Sequence, residues 1–201
     1  MIYNRALQFY PEYAQGYNNR GVIYWEKGQY ERAMDDFTSA LQLNPQYVAA
    51  TLNRARVYLQ KGDYRLAITD CDRALNLNDE SAEAYALRGT GHHNLGEYEQ
   101  AMADYNAALR ISPEYAQIYC QRGSLYNDQE QYEKALADYD AALAREPNLI
   151  EVYYNKACAL QLTGRKQEAR EWFDQFIHIA GPGDKWIERA IQHIRELGTG
   201  T

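Results

Sequence analysis

No stretch of this chain approaches the roughly 18 consecutive apolar residues that a membrane-crossing helix requires, so no membrane insertion is expected. The opening residues MIYNRALQFYPEY contain neither a basic segment nor an apolar core followed by small residues, so no signal peptide is visible. Basic residues are outnumbered, giving a net charge of −7. A nucleic-acid binder needs a basic face to neutralise phosphates, and no such partner is expected here. Cysteine is scarce: Cys71, Cys120 and Cys158 are odd in number and lack metal-ligand spacing. That pattern favours reduced thiols and a cytoplasmic location. His92 and His93 are adjacent, so on a helix their side chains diverge by about 100° and cannot readily share one ion. His178 and His193 have no ligand spacing with each other or with the cysteines. There is no glycine-rich phosphate loop, no serine elbow, and no base beside Cys120 or Cys158. Neither an enzymatic activity nor a metal or other cofactor is expected.

What the sequence does contain is a period. The stretch Ala14 to Tyr47 matches the chain again at Val48, Ala82, Ala116 and Ile150, a spacing of 34 residues. Small residues return in step as Gly21, Ala55, Gly89, Gly123 and Ala157, and as Ala33, Ala67, Ala101, Ala135 and Ala169. A third series is Ala40, Ala74, Ala108 and Ala142. A period of this length marks a stacked array, in which one unit cannot bury its apolar face without a neighbour. Tyr17, Gly21 and Tyr24 fall at helical spacing, as do Tyr30, Ala33, Phe37, Ala40 and Leu41, so each unit predicts two amphipathic helices.

Gly28, Gly62, Gly96 and Gly164 recur just past the first helix, where positive φ is expected. Glu130 stands there in the fourth copy and predicts strain or a different turn. Asn44-Pro45, Ser112-Pro113 and Glu146-Pro147 stop the second helix. Asn78-Asp79 lacks the proline, so a side-chain cap is expected at that junction. Gly21 and Ala33 are placed at the helix crossing, flanked by Tyr17, Tyr85, Tyr119 and Tyr153 and by Phe37, Tyr105, Tyr139 and Phe173. This aromatic ladder reads as core packing rather than a ligand platform.

The set Tyr17, Arg20-Gly21, Tyr24, Ala33, Phe37 and Pro45, with equivalents in the later copies, resembles the tetratricopeptide repeat. The resemblance covers nearly the whole chain in five copies. It implies an all-α, right-handed solenoid of stacked helix-turn-helix units, in which the first helices line a concave groove that holds a peptide or partner protein. The expected segments are a second-helix remnant over 1–13, repeats over 14–47, 48–81, 82–115, 116–149 and 150–183, a capping helix over 184–197 and a tail over 198–201. Trp186, Ile187, Ala190, Ile191, Ile194 and Leu197 would lie on one side of that last helix. A partner-binding helix is the alternative to a cap.

The chain departs from the family pattern at one position. Where leucine is usual it carries Arg20, Arg54, Arg88, Arg122 and Lys156, while Asp36, Asp70, Asp104 and Asp138 recur on the second helix. Trp172 breaks the acid series in the copy that has lysine. This predicts a half-buried, bidentate Arg-Asp clasp inside each hairpin. The alternative is a solvated pair worth roughly 0 to 1 kcal/mol.

With Tyr17, Gly21 and Tyr24 facing the second helix, Gln15, Asn19, Val22 and Glu26 point away from it. That stripe varies between copies, as expected of residues that packing does not dictate. Asn19, Asn53, Gln121 and Asn155 form an amide ladder, interrupted by Leu87, that could hold the backbone of an extended peptide. Trp25, Arg56, His93 and Tyr154 are the specificity candidates. The alternative is that these amides are ordinary solvated residues. Arg56 is the one cation in the stripe, against Glu26, Glu83, Asp128 and Glu151. A neutral or basic segment therefore fits better than a carboxylate-terminal chaperone tail, which some family members grip with lysine, arginine and asparagine. The second functional reading is a self-assembling scaffold, a homo-oligomer formed through an N-terminal helix that exposes Tyr3, Leu7 and Phe9.

Overall fold

The computed structural model describes residues 2–181 and 183–198. Met1 at the start of the expected 1–13 segment, Pro182 of the Gly181-Pro182-Gly183 stop and residues 199–201 of the expected tail lie outside the described residues. The chain divides into two compact units, Met1–Ile111 and Ser112–Thr201. Both are all-helical throughout the described residues.

In the first unit, α1 (Ile2–Phe9) packs on α2 (Ala14–Glu26). Helices α2 and α3 (Tyr30–Leu43), α4 (Val48–Lys61) and α5 (Tyr64–Leu77), and α6 (Ala82–Asn94) and α7 (Tyr98–Ile111) form three hairpins. They stack through α3 on α4 and α5 on α6, and the first helices touch in the series α2, α4, α6. The second unit repeats the plan with α8 (Ala116–Asp128) on α9 (Tyr132–Arg145) and α10 (Ile150–Leu162) on α11 (Lys166–Ala180). Its first helices α8 and α10 also touch.

One turn joins the helices of every hairpin. The N–H of Gln29 donates to the Tyr24 carbonyl at 2.8 Å, and Asp63, Glu97, Gln131 and Arg165 do the same to Tyr58, His92, Tyr126 and Leu160. This bond closes the helix end only if the intervening residue is left-handed. Gly28, Gly62, Gly96 and Gly164 take φ of 68° to 81°, and Glu130 takes 58°. The fourth turn is therefore not different; it imposes on a residue with a Cβ a conformation that glycine occupies without penalty.

The crossing points explain the small-residue series. A Cβ added to Gly21 would lie 2.6 Å from the Phe37 ring, and at Gly123 it would lie 2.7 Å from the Tyr139 ring. Those rings, with Tyr105 and Phe173, are fully buried, which supports core packing as their role. In the second hairpin Ala55 occupies the crossing, and the ring is replaced by the smaller Cys71. At the proline-free junction, Ser81 Oγ accepts from the Ala84 N–H at 3.2 Å and Asn78 Oδ1 accepts from the Glu80 N–H.

The clasps form as bidentate pairs in four hairpins. Arg20 Nε and Nη2 donate to Asp36 at 2.8 and 2.7 Å, and Arg54–Asp70, Arg88–Asp104 and Arg122–Asp138 repeat the geometry. The four aspartates are buried. The hydrogen bonds to aspartate raise the arginine pKa values further and outweigh the opposing effect of burial. In the fifth hairpin Lys156 Nζ lies 3.8 Å from the centroid of the Trp172 ring and also bonds Asp140, an alternative way of placing a cation between the helices.

Two expectations need correction at the ends. Leu7 is not exposed; it is buried, its Cδ2 3.1 Å from where a Gly16 Cβ would stand, because α1 lays that side against α2. Tyr3 is half-buried and Phe9 is exposed. At the other end, Asp184 Oδ1 accepts from the Trp186 N–H at 2.8 Å ahead of α12 (Ile187–Gly198), so Trp186 precedes the helix instead of lying on it. Helix α12 caps α11, with Ala190 fully buried beside Phe173 and Phe176, and with Ile187, Ile194 and Leu197 partly buried around them.

Candidate functional site

Side chains that the hairpin cores do not require collect on the outward stripe of the first helices. In the first unit they form a connected polar chain across α2, α4 and α6. Asn18 Nδ2 donates to Asn19 Oδ1 at 3.4 Å, and Asn53 Nδ2 donates to Asn18 Oδ1 at 2.9 Å. Arg56 Nη1 then donates to Asn53 Oδ1 at 3.4 Å, and its Nη2 pairs with Glu83 Oε1 at 2.8 Å. Asn19, Asn53 and Arg56 are thus brought together. Their join passes through Asn18, which sequence reasoning missed, and ends on Glu83, whose pairing with Arg56 it did not foresee. The signal for Asn18 is its register: the equivalent positions are Leu52, Ala86, Cys120 and Tyr154, so a buried amide stands where other copies carry an apolar, aromatic or thiol side chain.

Trp25 and His93 each meet an aromatic ring. They share a register near the hairpin turn, where Trp25 meets Tyr30 with ring centroids 5.0 Å apart and His93 meets Tyr98 edge-on at 6.0 Å. Trp25 packs with Val22 beside Ala33, Phe37 and Val57. Val22, expected to point into the stripe, is therefore part of the packing between hairpins. Neighbouring His92 has a polar role as well as a packing one: its Nδ1 is 2.6 Å from Glu97 Oε2.

In the second unit Gln117 and Cys120 both donate to Glu151 Oε1, the thiol at 3.4 Å. Asn155 Nδ2 donates to Ser124 Oγ at 3.5 Å and approaches Cys120 Sγ at 3.9 Å, linking α10 back to α8. Gln121 keeps a buried Oε1 with no hydrogen-bond partner among the described residues. Tyr154 sits under the C-terminal cap, its ring 5.4 Å from those of Phe176 and Trp186 and its hydroxyl 3.4 Å from His193 Nε2.

The chemistry available here is hydrogen bonding and ion pairing. Burial pushes the Cys71 and Cys120 thiols far above their ordinary range, and that of Cys158 up to about 11, opposite to what a nucleophile needs. Among the described residues no group of three or more His, Cys, Asp or Glu side chains is arranged to hold a metal ion. Among them, too, no helix is long and apolar enough to cross a membrane.

The family-level matches are to the tetratricopeptide repeat over residues 14–47, 49–81, 116–149 and 138–171, and to the TPR repeat over 92–129. No curated protein matches the chain. Among solved structures, TTC0263, a thermophilic TPR protein in Thermus thermophilus, is 26% identical and superposes with a TM-score of 0.82 over 90% of this chain and 99% of its own. YrrB, a TPR protein with an unusual peptide-binding site, is 21% identical with a TM-score of 0.61 over 96% of this chain and 98% of its own. The Cut9–Hcn1 hetero-tetramer of the APC/C gives a TM-score of 0.85 at 18% identity, over 98% of this chain and 40% of the matched one.

Proposed function

From the premise that the chain belongs to the tetratricopeptide repeat family of protein-interaction modules, we propose that it is non-catalytic and holds an extended peptide or partner segment along the first helices of its repeats. The observation that carries this reading is the chain of side chains from Asn19 through Asn18, Asn53 and Arg56 to Glu83, which spans three successive first helices. Primary amides present donors and acceptors together, so they can pair with a peptide backbone whatever its sequence.

The partner segment is neutral or basic. Arg56, the stripe's cation, is already neutralised by Glu83, and an incoming carboxylate would have to displace that partner. Glu26 and Glu151, both exposed, favour a lysine or arginine in the ligand. The similarly folded YrrB has a peptide-binding site of its own, an analogy of fold that supports the reading without assigning residues here. The unpaired thiols suit a reducing compartment, and we place the protein in the cytoplasm. A peptide-array screen followed by calorimetry tests the proposal. Extended neutral or basic peptides should bind, and the variant carrying Asn53→Ala and Asn155→Ala should bind them at least about tenfold more weakly, in line with the loss of one or two hydrogen bonds. Undiminished binding by that variant would reject the amides as the holding groups.

A further inference from the structure

Phe9 and Tyr10 are the most exposed large hydrophobic residues described, at 70% and 69%. The residues at the register of Phe9 in the next three hairpins, Leu43, Leu77 and Ile111, are 39% to 42% exposed. An aromatic residue this bare on the outer side of a helix whose inner side is already docked through Leu7 marks a surface that lacks its covering. Phe9, Tyr10, Pro11, Glu12 and Tyr13 border an open hollow of about 650 Å³, room for an aromatic side chain from another molecule to lie against.

The charges around Phe9 define what covers it. Arg5 lies four residues before Phe9, one turn along the same face of α1, and Glu12 lies three residues after it on the wall of the hollow. Both are exposed, and neither makes an ion pair among the described residues. With the cation on the helix before Phe9 and the anion in the turn after it, the surface is complementary to itself when turned end for end. In an isologous interface residue i meets residue j of the partner, and j meets i. A parallel arrangement, by contrast, would set like charges together.

We infer that the outer face of α1 docks a second copy of this chain antiparallel about a two-fold axis at Phe9. Each Phe9 enters the hollow of the other copy, and Arg5 of each copy pairs with Glu12 of the other. The contact rests on one short helix and the turn after it, so it belongs to the small, weak class of interface. Its ion pairs are exposed and lose strength as salt rises.

Sedimentation equilibrium of the full chain tests this, over protein concentrations from about 10 µM to about 1 mM, the range in which an interface this small dissociates. Wild type should pass from monomer to dimer, and Phe9→Ser should remain monomeric with unchanged helical circular dichroism. R5E and E12R should each weaken the dimer by about tenfold, because either change sets two like-charge pairs across the axis. The double variant R5E/E12R restores opposite charges and should return to within about threefold of wild type. A wild-type chain monomeric throughout, a dimer that survives Phe9→Ser, or a double variant no tighter than the singles would each overturn the inference.

Discussion

Each first helix has two faces, and they differ in what their residues are required to do. The inward face carries Arg20, Arg54, Arg88 and Arg122 in strict register, each forked onto a buried aspartate of the second helix. The outward face carries Asn19, Asn53, Leu87, Gln121 and Asn155 at one register and Arg56, Thr90 and Ser124 at another, where the first copy has the packed Val22. The hairpin dictates the first face, because a buried carboxylate without its guanidinium is intolerable. The second face is free to differ, and there the polar chains run across helices instead of within hairpins. Recurrence therefore reports folding within the hairpin, whereas the residues that vary are set by contacts between hairpins or by none.

The comparison can be broken most severely at a clasp. Asp138→Ala leaves the Arg122 guanidinium without its buried partner and should cost about 3–5 kcal/mol in chemical denaturation. A double-mutant cycle with Arg122→Ala should give a coupling of about 2–3 kcal/mol, and zero coupling would remove the structural claim. Lys156→Ala in the fifth hairpin should cost only about 1–2 kcal/mol, since it removes a cation–π contact and exposes no buried carboxylate. The crossing points come next. Gly123→Ala drives a Cβ into the Tyr139 ring and should cost about 1–3 kcal/mol. An alanine at an exposed position of a first helix, such as Glu26→Ala, should stay within about 0.5 kcal/mol. The smallest effect sharpens the comparison by stabilising: Glu130→Gly should gain about 0.5–1 kcal/mol by relieving a positive φ, read as a raised denaturation midpoint.

Most of the inward face was legible in the sequence because its constraints repeat. Gly28 and its copies mark the left-handed turns, and Arg and Asp recurring at matching positions mark the clasps. The outward face was legible only in part. Helical phase places Asn53 and Arg56 on the stripe, where their side chains join, but it assigns Asn18 to the side packed between helices, where an amide serves only if a neighbour bonds it. Trp25 and Tyr154 are large and fall near the stripe, which makes them specificity candidates by phase alone. Their rings also meet Tyr30 and Trp186, contacts between elements that no single-helix phase contains. Leu7 was expected on the surface for the same reason: its cover is Gly16 of α2, a residue with no side chain to announce the contact.

The central claim is that the outward amides, and not the repeating clasps, do the binding. Calorimetric titration of an array-selected neutral or basic peptide into wild type and into the Asn53→Ala/Asn155→Ala variant tests it most directly. The account predicts at least about a tenfold loss of affinity while the helical signal and cooperative unfolding persist, with a stability cost of about 1–4 kcal/mol for the internal bonds lost to Asn18, Arg56, Cys120 and Ser124. Equal affinity in the two proteins would contradict it.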